Sequence, residues 1–68
     1  MSAAGRRIRL AADLHVLGLR TASEAVNRNL STLAAAIVRE LRAGGHEALV
    51  VDVLRWESDV SGRCEARS

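Results

Sequence analysis

Sixty-eight residues at 7.3 kDa allow one domain, and a chain this short hides only about 60% of the surface its unfolded form exposes. Twelve Ala, one Trp and no Phe or Tyr thin the core further. That argues against a deep-pocketed enzyme and for a small module completed by a partner or a second copy.

The formal charge of +2 divides unevenly along the chain. Residues 1–42 carry seven Arg against Asp13, Glu24 and Glu40; residues 43–68 carry Arg55, Arg63 and Arg67 against Glu47, Asp52, Glu57, Asp59 and Glu65. A basic front and an acidic back suggest two different partners. All ten cations are Arg, whose planar fork of donors suits phosphate and the acceptor edge of guanine. A coding bias toward Arg and Ala accounts for the missing Lys equally well, but not for the asymmetry.

Arg6-Arg7-Ile8-Arg9-Leu10 alternates charged and apolar residues, the period of a half-exposed strand. Such a strand is stable only when paired. Ala11 to Leu17 suits a short helix, with Gly18 as its end. Thr21 and Glu24 then read as a capping box, and Ala22, Val26, Leu30, Leu33, Ile37 and Leu41 follow at steps of three and four. Ala25, Ala34 and Val38 widen the stripe, so one amphipathic helix is expected from 22 to 42, ended by Gly44-Gly45. From His46 to Leu54 the Val content favours a strand, while the spacing of Leu49, Val53 and Trp56 suits a helix. Glu57 to Ser68 is polar and aperiodic and is expected to be unstructured alone.

Catalytic chemistry has little to work with. His15 and His46 stand far apart and outside any metal-ligand spacing, and each reads as a surface or packed side chain. The lone Cys64 excludes an intrachain disulfide and a CxxC zinc site. Arg63 and Arg67 near it favour thiolate, but an incidental Cys in a tail is the simpler reading. No phosphate-cradling Gly-rich loop occurs, so no enzyme, metal or cofactor is expected. With no apolar run of about 18 residues and no signal-peptide core, the chain reads as cytoplasmic.

Residues 18–30, Gly-Leu-Arg-Thr-Ala-Ser-Glu-Ala-Val-Asn-Arg-Asn-Leu, resemble the G-L-[KR]-T-x-x-E-A-V-x-x-x-L segment of VapB-type antitoxins, ribbon-helix-helix proteins of bacterial toxin–antitoxin pairs. Arg55-Trp56-Glu57-Ser58-Asp59-Val60 is similar to the W-[DE]-G-D-L motif of that family's toxin-binding tail. The resemblance implies a mainly α ribbon-helix-helix homodimer: a short N-terminal strand, a short helix, a long helix and a flexible C-terminal tail. Residues 1–44 would then dimerise and bind operator DNA, and residues 45–68 would bind a PIN-domain ribonuclease toxin.

On that reading Arg7 and Arg9 would reach base edges from the ribbon, Arg6 a phosphate, and Thr21 and Ser23 another phosphate at the long helix's N-terminus. The alternative for these Arg is a solvated edge that blocks aggregation. Leu54, Trp56, Glu57, Asp59, Val60, Arg63 and Arg67 would meet the toxin, with Trp56 exposed until the partner buries it. Trp56 folding back onto the helix stripe is the competing placement.

A second resemblance joins Leu19 to Leu30 with the phosphate loop of flavodoxin-like FMN reductases, and Leu41 to Asp52 with the helix-turn-strand after it. It implies FMN near Thr21, Ser23 and Asn27, in a chain that is only a fragment of a doubly wound sheet. Length favours the antitoxin. A small helical interaction protein stands as the third class.

Overall fold

In the computed structural model, which describes the backbone of residues 3–66 and the side chains of residues 5–62, every regular element is helical. The order is α1 (Ala3–Val16), α2 (Arg20–Asn27), a single 3-10 turn (Ser31–Leu33), α3 (Ala34–Ala43) and α4 (Glu47–Ala66). Among the described residues there is no strand, so the ribbon-helix-helix fold is overturned. The reason lies in α1. A lone strand leaves its backbone groups unpaired, whereas Arg, Leu and Ala over 6–12 are good helix formers that satisfy them internally. Helical spacing also puts Leu10, Ala11 and Leu14 together in the core.

One device makes three of the turns. At Gly18, Asn29 and Gly45 the backbone takes a positive φ (82°, 55° and 76°). Each time the residue after it donates its N–H back over the closing turn: Leu19 to Leu14, Leu30 to Ala25, His46 to Leu41. The left-handed residue itself bonds inside that ring, Gly18 to His15, Asn29 to Val26 and Gly45 to Arg42. This is the Schellman closure, and it needs Gly or, at some cost, Asn. Leu19, Leu30 and His46 then each open the next element, since Ser23, Leu33 and Val50 donate to their carbonyls. Helix end and helix start share one residue, which is why the connections are so short.

The expected helix over 22–42 is therefore broken at Asn29. Its stripe nonetheless survives across the break: Ala22, Ala25, Val26, Ala34, Ile37, Val38 and Leu41 are all buried. Only Leu30 and Leu33, at the break itself, turn outward. The capping box does not form, because α2 already begins at Arg20 on Leu19, leaving Thr21 one residue inside the helix with no capping bond.

Residues 46–54 take the helical alternative. α4 continues through the segment expected to be a flexible tail, with Val50, Val53 and Trp56 in the core and Leu49 and Val60 packed against it. α1 packs chiefly on α2 and α3 on α4, and α4 also reaches back to α1. Both sides of the 44/45 boundary thus contribute to one core.

Candidate functional site

The residues assigned to DNA do not share a face. In a strand Arg7 and Arg9 would point the same way; two steps along a helix turn them about 200° apart. Arg7 faces inward and is half-buried, and its Nε is buried without a hydrogen-bond partner. Arg9 is exposed. Arg6 lies 3.4 Å from the Asp59 carboxylate and ties α1 to α4 across exposed surface. Ser23 is buried, and its hydroxyl donates to the Ala11 carbonyl at 2.9 Å, a bond between α2 and α1 that commits its one donor within the fold. Thr21 is exposed.

The tail residues scatter as well. Trp56 is only 6% exposed, so the folded-back placement prevails over the exposed anchor. Its indole N–H donates to Asn29 Oδ1 at 3.1 Å. Val60 packs against the core, Glu57 is half-buried and Asp59 faces Arg6. Of the expected toxin contacts Leu54 points to solvent, at 44% exposure. The side chain of Arg63 and the whole of Arg67 lie outside the described residues.

The flavin alternative fares no better in its elements, since Leu41 to Asp52 forms a helix-turn-helix instead of a helix-turn-strand. Among the described residues no group of three or more His, Cys, Asp or Glu gathers as a metal would need. No described helix is long and apolar enough to cross a membrane.

Besides Leu17 and the Leu30–Leu33 break, two outward apolar features stand out, and of their residues the sequence reading assigned a partner contact to Leu54 alone. The first is on α1: Ile8 and Val16 are 59% and 83% exposed. With Ala11, Ala12, His15, Ser23 and Asn27 they line an open groove of about 430 Å³ between α1 and α2. The second is on α4, where Val51 and Leu54, three residues apart, are about half exposed. The signal for the first was the i, i+4, i+8 spacing of Ile8, Ala12 and Val16, hidden by reading residues 6–10 as a strand. Such features suit binding rather than catalysis: the first groove holds His15 and Ser23, but the Ser23 hydroxyl is spent on the Ala11 carbonyl and not on His15.

No protein-family model, curated protein or solved structure matches this chain.

Proposed function

We propose that this chain acts by binding, as a small cytoplasmic helical interaction protein of the antitoxin kind, with a PIN-domain ribonuclease as partner. The observation that carries the reading is the outer side of α4. Val51 and Leu54 stand exposed there, with Glu47 one turn before Val51 and Arg55 one turn after it, both exposed. An amphipathic helix with apolar anchors between charges of both signs is a common way to engage an apolar groove. The resemblance of residues 18–30 and 55–60 to antitoxin segments supplies the partner class. It does not supply the contacts, since Trp56, Val60 and Asp59 are occupied within the fold.

Among the described residues no ribbon forms to read an operator, so the proposal is toxin binding without it. A PIN-domain ribonuclease encoded beside this chain is expected, and its RNA cleavage should fall when the full chain is added. Leu54→Glu and Val51→Glu should relieve that inhibition while leaving the helical circular-dichroism spectrum unchanged. A ribonuclease that cleaves undisturbed by the wild-type chain would remove the toxin as partner.

A further inference from the structure

We infer that the outer face of α1 is covered by α1 of a second copy of this chain, antiparallel to the first about a two-fold axis through Ala12. Ile8, Ala12 and Val16 recur every four residues and form an apolar row on the side of α1 away from Leu10 and Leu14. Covering Ile8 and Val16, 59% and 83% exposed, would take the apolar row out of water.

The row is self-complementary. Turning it about Ala12 sets Ile8 against the partner's Val16 at both ends, with the smallest side chain at the crossing, where two helix axes must come closest. A two-fold contact of this kind presents one patch twice, so its residues must answer one another.

The flanking charges identify the occupant as a second copy. Arg9 and Asp13 lie on one flank of the row, both exposed and neither in an ion pair among the described residues. From a rise of about 1.5 Å per residue, the axis through Ala12 places Arg9 about 3 Å along the helix from the partner's Asp13, twice by symmetry. Against this stand a single Asp13–Asp13 approach at about the same offset and the two Arg9 about 9 Å apart, so attractions outnumber repulsions. A partner of one charge sign would satisfy one of these groups and repel the other. The opposite flank is the groove wall, where Ser23 and Asn27 of α2 border the row. The inference is independent of what the outer side of α4 binds.

Sedimentation of the full chain from micromolar to high-micromolar concentration tests it. The expected result is a species of twice 7.3 kDa, dissociating on dilution. Val16→Glu should give the monomer and Val51→Glu should not. Because Val16→Glu replaces a side chain on a packed helix, the charge pair provides a second test at exposed positions. Arg9→Asp and Asp13→Arg should each raise the dimer dissociation constant by roughly tenfold or more through like charges, and the double swap should recover most of that loss. A monomer throughout the range overturns the inference. So does a dimer that survives Val16→Glu, or single swaps that the double swap fails to rescue.

Discussion

The indole N–H of Trp56 donates to the Oδ1 of Asn29 at 3.1 Å, and Asn29 is the one described residue other than Gly with a positive φ. One residue thus closes α2 with its backbone and anchors the middle of α4 with its side chain. Asn suits both tasks: its amide tolerates the left-handed region better than most residues, and its carbonyl accepts from the ring.

Three substitutions separate those tasks. Asn29→Gly keeps the backbone conformation and loses the acceptor, which should cost about 1 kcal/mol. Asn29→Ala loses both and should cost about 1–2 kcal/mol more, because Cβ is strained at this φ. Asn29→Asp keeps an acceptor and should stay closest to wild type. Denaturant unfolding followed by Trp56 emission reads all three, starting from the blue-shifted emission of a buried ring. Equal losses for Gly and Ala would show that φ at this position carries no strain.

Much of the core was legible before the structure. Apolar spacing alone picked out Ala22, Val26, Ile37 and Leu41, and Leu49, Val53 and Trp56 on the helical alternative for 46–54. Gly18 and the Gly44-Gly45 pair were legible as helix ends, since a left-handed cap selects Gly. Asn29 was missed because Asn is a weaker form of that signal and the stripe runs on past it. Arg6 to Leu10 misled because five residues fit a period of two and a period of 3.6 equally well. Its pairing as a strand was borrowed from a family whose fold this chain does not take. The tail misled for a different reason: its polarity argued for disorder, but Val60 and Arg6–Asp59 give α4 something to hold.

The glycines should divide by conformation. Gly18 and Gly45 are left-handed with open space around their Cα atoms, so Ala at either is penalised by backbone alone, at about 1 kcal/mol each. Gly62 lies inside α4 with nothing near its Cα and no positive φ. Gly62→Ala should therefore stabilise the helix, by about 0.5–1 kcal/mol. Thermal unfolding of the three variants checks the signs, and a destabilised Gly62→Ala would mean that α4 is not helical there.

Arg7 offers a test of opposite sign to a nucleic-acid role. Its Nε is buried without an acceptor, so that atom is held at a desolvation cost. Arg7→Met keeps the unbranched stem and removes the polar atom. Stability should rise or hold within about 0.5 kcal/mol, whereas Arg9→Met, at an exposed position, should change it little. A loss above about 1 kcal/mol for Arg7→Met would mean that the guanidinium has a partner.

Ser23 and Thr21 settle whether the start of α2 is a phosphate anchor or a packing joint. Ser23 donates to the Ala11 carbonyl, which sits in the middle of α1 and already belongs to that helix's own ladder. The hydroxyl is satisfied by a carbonyl it shares, so removing it strands no donor of its own and costs one net hydrogen bond. Ser23→Ala should therefore lower stability by about 1 kcal/mol. Thr21 is exposed and caps nothing, and Thr21→Ala places a better helix former in α2, so stability should be unchanged or slightly higher. Inorganic phosphate up to tens of millimolar should shift the unfolding midpoint of wild type and both variants alike. If phosphate protects wild type and the Ser23→Ala variant loses that protection, Ser23 faces an anion and the α1–α2 joint is arranged otherwise.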